Sequence, residues 1–369
     1  MPDMPPTGFV IGTPRCNLQP ATCDPEWEVG RVSWKNLLAP LTPLYATVVT
    51  ARAAAYRRGW LKVHRLPVPV VSVGNLTFGG TGKTPTVIAL VRELAQHGRC
   101  PAVLTRGYGR RGRAPVVAVG PDPDPSLHET GDEAQELARR LPGVPIVIDA
   151  DRVRGGREAL RGGADVLVLD DGFQHLRIAR DLDLVLLDAG DPWGGNQLPP
   201  RGRLREPVSA LARASALLIT KMSAQPEEQI AAVTGRVRRL AGELPVLTAR
   251  LVPTRVRTSD GWRGVDVLAG QRVLAFAGLG RPADFARVLE DAGAHVVTTC
   301  WFADHHSYTR DDIRRLEVEA QREGAVPVTT GKDAVKLPAD AQAWEVEAEM
   351  LPIEGSWSTL LRLLPGMGP

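Results

Sequence analysis

The residues best suited to chemistry lie in the stretch Val70–Pro85, which reads VVSVGNLTFGGTGKTP. A β-branched run there ends in glycines and Lys83-Thr84, and a helical pattern follows from Thr86. Glycines let a backbone curve around an anion with its N–H groups turned inward, and the start of a helix adds a favourable dipole. A lysine at this spacing reaches the β- and γ-phosphates of a nucleotide, and the threonine hydroxyl can bind Mg²⁺. The stretch therefore predicts a phosphate-binding loop between a strand and a helix.

The predicted loop departs from the strict pattern G-x-x-x-x-G-K-[ST] at one position, because Thr77 stands where the first glycine belongs. The alternative interpretation is an ordinary glycine-rich turn. The ending GKT, placed between a strand and a helix, favours phosphate binding over that alternative. The residues that would bind the nucleotide are Gly79, Gly80, Thr81, Gly82, Lys83 and Thr84.

A second candidate site follows the apolar run DVLVLDD, which ends in Asp170 and Asp171. A strand that ends in acids downstream of a phosphate loop is the place expected for the carboxylate that holds Mg²⁺. The sequence GFQH comes next and places the imidazole of His175 at the same edge of the sheet. A lone histidine is usually structural, whereas one beside two acids suits a site, and the sequence leaves both interpretations open.

Two acids, Asp132 and Glu133, open a predicted helix that runs to Arg140. Acids at a helix start complement the helix dipole, and the residues alone favour this structural interpretation. Upstream, Arg106 begins a basic, glycine-rich loop after a predicted strand, where ligands of open α/β sheets bind. The alternative for that loop is a solvated surface segment.

The run WFADHHSY places Asp304, His305 and His306 in a loop after a predicted strand. Two histidines beside an acid suit a metal site or an acid–base site. Because no third ligand lies at a recognisable spacing, catalysis or positioning is favoured over zinc.

Strand-like and helix-like segments alternate along most of the 369 residues, which predicts a parallel sheet covered on both faces. A strand-like linker precedes a second α/β unit, which starts at Val273. We expect a disordered extension over 1–25, a core that contains the phosphate loop and an N-terminal helix over 26–250, and a smaller C-terminal α/β domain that includes linker strands over 251–369.

The net charge of +3 is too small to indicate a nucleic-acid binder. The four cysteines show neither metal-ligand spacing nor a disulfide framework, which fits a reducing cytoplasm. The N-terminus lacks the basic start and apolar core of a signal peptide, and no apolar run reaches the ~18–20 residues of a membrane-spanning helix.

From Val29 to Arg92 the chain contains no Asp or Glu. Thr42 and Pro43 suit the start of an apolar helix that runs to Arg58. Cations lie in and after it, at Arg52, Arg57, Arg58, Lys62 and Arg65. Such a helix can lie in a membrane interface, or it can pack on the core with a solvated basic end. The absence of acids favours the membrane slightly.

Taken in order, the motifs resemble the tetraacyldisaccharide 4′-kinase family, the lipid A 4′-kinases of Gram-negative bacteria. The resemblance covers roughly Trp34 to the C-terminus. It rests on PVPVVSVGNLTFGGTGKTP, LTRGYG, GDE, DDGFQH, LPPRGRLREP, FADHH and TTGKDAVKL, whose ordered set is specific although each motif alone is weak. It implies a P-loop NTPase-like α/β/α sandwich, a second, smaller α/β/α domain with the active site in the cleft between the two, and an N-terminal membrane-associated helix.

The resemblance also implies an activity that uses ATP and Mg²⁺. The γ-phosphate would move to the 4′-hydroxyl of a tetraacylated glucosamine disaccharide 1-phosphate in lipid A (lipopolysaccharide) biosynthesis. Expected partners are this acylated lipid and the anionic inner-membrane surface, with no nucleic acid. The expected location is the cytoplasmic face of the bacterial inner membrane, as a peripheral protein, and the oligomeric state is not predicted.

Carried over by motif, Asp132 is the base, His305 is its partner and Lys83 holds the phosphates. For Asp132 the resemblance replaces the helix-dipole interpretation. The implied metal ligands are Thr84, Glu133, Asp170 and Asp171. The implied substrate contacts are Arg106, Tyr108, Arg152, His175, Asn196 and Arg205.

The chain departs from the family at Gly331, where the family usually has Glu, and the first 25 residues have no counterpart in it. A rival interpretation is a partition- or carrier-type regulatory P-loop ATPase. Its phosphate loop carries a lysine before the paired glycines, where this chain has Phe78, and this counts against it. A nucleotide-gated binding protein is a weaker rival, because Asp132 and His305 would then have no purpose.

Overall fold

The computed structural model describes residues 38, 40–107, 115–118, 131–220, 227–338 and 340–367. The chain divides into a larger unit, Glu26–Val252 with Ala348–Pro369, and a smaller unit that contains Pro253–Glu347. The expected extension over 1–25 lies outside the described residues, as does Tyr108.

The larger unit is built on a sheet with the strand order β8-β7-β6-β1-β5-β2-β4-β3, in which only β3 is antiparallel to its neighbour. Every residue of the central strands β1, β5 and β6 is buried, as in parallel sheets covered on both faces. The strands are β1 Val70–Asn75, β2 Pro101–Thr105, β3 Val116–Ala118, β4 Ile146–Ile148, β5 Val166–Asp170, β6 Leu182–Asp188, β7 Ala216–Thr220 and β8 Val246–Thr258.

Helices cover both faces of this sheet. They are α1 Leu41–Arg57, α2 Lys83–Gln96, α3 Asp132–Arg140, α4 Arg152–Arg161 and α5 Glu227–Ala241. Val71 and Val73 of β1 pack with α2 and α3 on one face, and Val70 packs with α4 on the other. The expected α/β class, with a mostly parallel sheet covered on both faces, is therefore confirmed.

The smaller unit has a parallel sheet with the order β11-β10-β12-β13, in which β13 is Trp344–Glu354. Its elements are β9 Gly261–Gly264, β10 Arg272–Ala277, α6 Pro282–Asp291, β11 His295–Trp301, α7 Arg310–Glu323, β12 Val326–Thr330 and α8 Gly331–Ala334. The hairpin strand β9 pairs with the end of β8. Thr309 and Asp312 form a capping box that starts α7, as the sequence T-x-x-D allows.

The C-terminal segment returns to the larger unit, which differs from the expected domain over 251–369. It consists of the second half of β13 (Trp344–Glu354) and of α9 (Trp357–Leu361). Met350 and Trp357 enter the same core as Val87 of α2. Arg140 donates to the carbonyl oxygen of Ala348 at 2.8 Å. Hydrophobic burial and hydrogen bonding together hold this segment on the α2–α3 face.

The N-terminal helix α1 begins at Leu41, before the expected Thr42-Pro43 start, and ends at Arg57. It has no fully buried residue, although Tyr45 and Ala46 pack partly against the core. Among the helices that the structure describes, none combines the length and the apolar character needed to cross a bilayer.

Gly74 of β1 permits a close approach by Phe173. A methyl group built at Gly74 would lie 2.5 Å from Cβ and 2.7 Å from the backbone N of Phe173. We expect Gly74→Ala to lower the free energy of unfolding by about 1–3 kcal/mol, because both neighbours are fixed in the core. The measurement is urea denaturation.

The matched control is Gly235→Ala in α5, where the nearest atom lies 3.8 Å away and belongs to a flexible arginine. Helix propensity should make this variant more stable by about 0.5–1 kcal/mol. Equal unfolding curves for the two variants would show that the Gly74 contact does not constrain the sheet.

Candidate active site

The phosphate loop is held from the strands beside it. The side-chain amide of Asn75, at the end of β1, donates to Oγ1 of Thr81 at 2.9 Å. The hydroxyl of Thr220, at the end of β7, donates to the carbonyl oxygen of Thr81 at 3.1 Å. Thr81 is buried, so both bonds lie away from water and fix the middle of the loop to the sheet edge.

The first part of the loop pairs with a distant segment. The backbone N–H of Phe78 donates to the carbonyl of Arg203 at 2.7 Å, and that of Arg205 donates to the carbonyl of Leu76 at 2.7 Å. Thr77 lies between them in an antiparallel bridge with Leu204. A β-branched residue suits this extended backbone, which explains why the strict glycine is not needed at position 77.

The second part of the loop is open. Gly79 and Gly82 have φ values of +117° and +82°, in the region that favours glycine. A methyl group built at Gly80 would meet nothing within 4 Å. At Gly82 it would lie 2.5 Å from Cε of Met350. The exposed, glycine-lined turn before α2 has the shape required to receive phosphate groups at a helix start.

The carboxylates that follow β5 lie in different surroundings. Asp170 is buried; Oδ2 accepts from Thr105 at 3.3 Å, while Oδ1 has no hydrogen-bond partner among the described residues. Asp171 has a φ of +52°, and both of its oxygens accept from Nη1 of Arg205 at 2.7 Å. Its Oδ1 also lies 3.7 Å from Nζ of Lys83. Asp170 is thus buried with one oxygen unbonded, whereas Asp171 is held by two cations, Arg205 and Lys83.

These surroundings shift the two pKa values in opposite directions. Burial, followed by the charges of Glu133 and Asp171, raises the pKa of Asp170 to about 7. Burial also acts to raise the pKa of Asp171, but the cations Lys83 and Arg205 outweigh it and leave that pKa below its usual value. Asp171 therefore stays ionised at neutral pH, whereas Asp170 needs a further cation to do so.

The donor set fits Mg²⁺. No group of three or more His, Cys, Asp or Glu suited to a metal occurs in the part of the chain that the structure describes. Mg²⁺ does not require one, because it binds one or two carboxylates together with phosphate oxygens and waters. The buried Oδ1 of Asp170, which has no hydrogen-bond partner among the described residues, meets this requirement best, since the oxygens of Asp171 already accept from Arg205. Thr84, the second residue of α2, and Glu133 complete the expected set.

Arg152 and His175 support the acidic edge from behind. Arg152 is buried and donates to the carbonyl oxygens of Asp149 at 2.7 Å and Asp170 at 3.4 Å. Burial lowers its pKa to about 10, against the opposing effect of the nearby acids. Burial and then Arg152 lower the pKa of His175 to about 4, so its imidazole is neutral. Both residues lie near the site, but the hydrogen bonds of Arg152 go to backbone rather than to an open surface.

The other expected substrate contacts are spread along the larger unit. Arg106 is exposed at the end of β2. Asn196 is exposed and accepts from Arg236 at 2.7 Å. Arg205 faces Asp171 rather than solvent. Their roles stay predictions.

Asp132 is the first residue of α3 and is buried. Its Oδ1 accepts from the backbone N–H of Glu133 at 3.0 Å, a contact that suits an acid at a helix start. This contact does not exclude a role as base, because a carboxylate can accept several hydrogen bonds.

His305 lies in the smaller unit, in the loop after β11. It has a φ of +62°, and its backbone N–H donates to Oδ1 of Asp304 at 3.1 Å. The same Oδ1 lies 2.8 Å from Nζ of Lys332. His306 instead stacks on Phe302 at 4.7 Å. Its Nε2 also lies 3.1 Å from the capping carboxylate of α7. The two histidines therefore differ: the second packs within the fold, and the first occupies a constrained loop position.

Sequence reasoning missed Gln174 and Tyr45. The amide of Gln174 donates to the carbonyl of Asn75 at 3.0 Å, and its Oε1 accepts from Arg205 at 3.3 Å. The hydroxyl of Tyr45 donates to the carbonyl of Arg205 at 2.9 Å. The position of Gln174 inside the DDGFQH stretch was an available signal, whereas nothing near Tyr45 in the sequence indicates its contact.

Comparisons with known proteins agree with this arrangement. Residues 34–364 match the family model described as tetraacyldisaccharide-1-P 4′-kinase. The tetraacyldisaccharide 4′-kinase of Syntrophus aciditrophicus is 42% identical over 328 residues, covering 85% of this chain and 87% of the relative. That of Rhodospirillum centenum is 41% identical, covering 89% and 91%. The crystal structure of an "apo" form of LpxK from Aquifex aeolicus in complex with ATP matches with a TM-score of 0.70 at 30% identity, covering 89% of this chain and 98% of that one.

The raised pKa of Asp170 predicts a pH dependence of stability in metal-free protein. A carboxyl whose pKa rises on folding binds more protons in the folded state, so the free energy of unfolding falls as pH rises from about 4 to about 7. Asp170→Asn cannot ionise and should lack this fall. Between pH 5 and pH 8, the free energy of unfolding of Asp170→Asn should rise by about 2–3 kcal/mol relative to that of wild type.

The measurement is denaturant unfolding in EDTA at several pH values. Asp260→Asn, which changes a carboxylate on an exposed turn, is the matched control and should show no such trend. Parallel stability curves for wild type and Asp170→Asn would contradict the assigned environment of Asp170.

Proposed function

Because this chain belongs to the tetraacyldisaccharide-1-P 4′-kinase family, we propose that it is an ATP- and Mg²⁺-dependent kinase of lipid A biosynthesis. The γ-phosphate of ATP moves to the 4′-hydroxyl of a tetraacylated glucosamine disaccharide 1-phosphate. The observation that carries this function is the open glycine-lined turn before α2, with Lys83 beside Asp171 and the unbonded Oδ1 of Asp170 at the same sheet edge.

The chain's own residues bind and orient the phosphates. The loop N–H groups and the start of α2 receive them, and Lys83 supplies positive charge where negative charge develops in the transition state. Asp171 and Arg205 hold Lys83 and the loop in place. A bound Mg²⁺ would neutralise phosphate charge, held by Thr84 and Asp170 with Glu133 nearby.

The regulatory ATPase is not favoured. A lysine would stand before the paired glycines in that class, whereas this chain has Phe78, half exposed and 5.1 Å from the guanidinium of Arg205. Position 78 therefore supplies no cationic side chain that could act on the nucleotide of a second subunit, as the regulatory ATPase would require.

The first test measures phosphate transfer from ATP to the acylated disaccharide 1-phosphate in detergent micelles. Lys83→Ala should reduce transfer by at least about 10²-fold, because it removes a charge that acts in the transition state. Its melting curve should match that of wild type. Transfer at the wild-type rate, or ATP turnover in wild type that ignores the disaccharide, would refute the assignment.

Asp132 is proposed as the base, with His305 acting on the same hydroxyl. Asp132→Asn keeps the side-chain shape but accepts a proton poorly, so kcat should fall by ~10²–10⁴-fold with little change in ATP affinity. His305→Ala should also be slow. If the two act as a unit, the double variant should lose far less than the product of the single losses. Multiplicative losses, or a large loss of ATP binding in Asp132→Asn, would overturn the assignment.

The proposed location is the cytoplasmic face of the bacterial inner membrane, with α1 lying in the interface. Leu41, Leu44 and Val48 are spaced along one side of α1 and are all exposed. Trp60 follows and is 72% exposed. The cations Arg57, Arg58 and Lys62 flank this apolar surface. An apolar stripe beside cations is typical of helices that bind anionic lipid.

Charge reversal at Arg57 and Arg58 should reduce binding to anionic vesicles by at least about tenfold, since each cation contributes roughly 1 kcal/mol near the surface. Salt should weaken wild-type binding, because it screens these charges. Reversal of Arg314 and Arg315, two exposed arginines of α7, gives the same net charge and should leave binding unchanged. If vesicle binding, measured by sedimentation, changes with neither salt nor charge reversal at Arg57 and Arg58, the proposal that α1 binds the membrane is wrong.

A further inference from the structure

Arg205 lies at the centre of a set of contacts that joins the phosphate loop to the acidic pair. Its Nη1 donates to both oxygens of Asp171 at 2.7 Å and to Oε1 of Gln174 at 3.3 Å. Its backbone N–H donates to the carbonyl of Leu76 at 2.7 Å. Asp171 in turn lies 3.7 Å from Nζ of Lys83. A displacement of Arg205 therefore reaches both the loop backbone and the carboxylate paired with Lys83.

Two side chains of α1 contact this set of residues directly. The hydroxyl of Tyr45 donates to the backbone carbonyl of Arg205 at 2.9 Å. Nη1 of Arg52 donates to the backbone carbonyl of Gln174 at 3.1 Å. Tyr45 and Arg52 are seven residues apart, two helical turns, and so lie on one side of α1. The helix thus binds the backbone carbonyls of Arg205, which contacts Asp171, and of Gln174, which contacts the end of β1.

Within the part of the chain that the structure describes, α1 packs only partly on the core, through side chains such as Tyr45 and Ala46. The helix has no fully buried residue. A cavity of about 560 Å³ lies beneath it, lined on the helix side by Val49, Ala53 and Tyr56. Since packing under this part of the helix is incomplete, hydrogen bonds from Tyr45 and Arg52 matter more for its position than they would under a tightly packed helix.

We propose that Tyr45 and Arg52 are positioning residues of the kinase site, acting through Arg205 and Gln174, an inference that rests on the proposed function. Tyr45 holds the Arg205 backbone so that the guanidinium stays on Asp171, and Arg52 holds the Gln174 backbone beside it. The helix with the exposed apolar stripe is then connected to the phosphate site through these two backbone contacts. By linkage, a ligand of one surface that shifts α1 changes affinity at the other surface by the same factor.

The test compares Tyr45→Phe with Thr47→Val. Each variant removes one hydroxyl from α1, but the hydroxyl of Thr47 is exposed and bonds only within the helix, to the carbonyl of Pro43 at 2.9 Å. Calorimetry gives the affinity for AMP-PNP with Mg²⁺, and steady-state kinetics in detergent micelles give kcat and the KM for the lipid. Tyr45→Phe should weaken the nucleotide affinity and lower kcat by about 3- to 10-fold each, the loss expected for one hydrogen bond. The KM for the lipid should not change, and Thr47→Val should stay within about twofold of wild type.

A second comparison separates positioning from a general structural effect. In an Arg205→Lys background, Tyr45→Phe should change nucleotide affinity by less than about 1.5-fold, because residues acting in series are not additive. Losses that multiply, or equal values for Tyr45→Phe and Thr47→Val, would overturn the inference. If Tyr45→Phe lowers the melting temperature, Arg52→Lys replaces it in both comparisons. This variant keeps the charge of an exposed side chain, and its nucleotide affinity should also fall. Nucleotide affinity is measured without the lipid. If wild type does not phosphorylate the disaccharide, the proposed function is refuted, but the affinities of the variants still test this inference.

Discussion

Two adjacent carboxylates at a buried sheet edge determine how the rest of the site is arranged. Asp170 and Asp171 cannot both be ionised in a low-dielectric setting without nearby cations. The positive φ of Asp171 turns the chain so that the two side chains meet different surroundings. Lys83 and Arg205 act on Asp171, whereas Asp170 keeps one buried oxygen without a hydrogen-bond partner among the described residues. Lys83 at the start of α2 and Arg205 of the segment 203–205 each place a cation beside Asp171.

The segment 203–205 has two functions in this arrangement. Its backbone pairs with Leu76–Phe78 and fixes the first half of the phosphate loop. Its last side chain, Arg205, holds Asp171. Backbone pairing thus takes the place of the strict glycine at Thr77, and the loop and the acid are positioned by one segment. This coupling explains how a loop that departs from the standard pattern can still present Lys83 correctly.

The sequence predicted the central strands and the phosphate loop well, because β-branched runs followed by glycines have a strong local signal. It predicted less well where partners are distant. Arg205 was expected to contact substrate, and its pairing with Asp171 depends on tertiary placement that no spacing reveals. The helix after the loop starts at Lys83 rather than Thr86, since Gly82 adopts a left-handed conformation that precedes it. Which residues perform which step stays a prediction from the family resemblance.

The C-terminal segment was not anticipated as part of the larger unit, and its interactions explain why. The run WEVEAEMLPIE alternates like a strand, but its Glu349 pairs with Arg92 of α2, a residue far away in the sequence. Met350 lies where a side chain on Gly82 would have to sit. The same segment thus closes the core beneath α2 and lies against the phosphate loop at position 82, where the positive φ favours glycine. This contact comes from residues distant in the sequence, so the loop sequence alone does not reveal it.

The helix α1 poses the opposite problem, since its sequence signal is strong and its packing is weak. A helix in a globular protein is usually stabilised by burying one face, and isolated helices of this length are marginal in water. α1 has no fully buried residue, and the exposed side of Leu41, Leu44 and Val48 faces away from the protein. The proposed membrane contact gives this exposed apolar side a partner, and the acid-free, cationic flanks of α1 suit the negative charge of an anionic lipid surface. Its inner side bonds to the backbone carbonyls of Arg205 and Gln174, so the proposed membrane contact and the proposed positioning of the phosphate site involve opposite sides of the same helix.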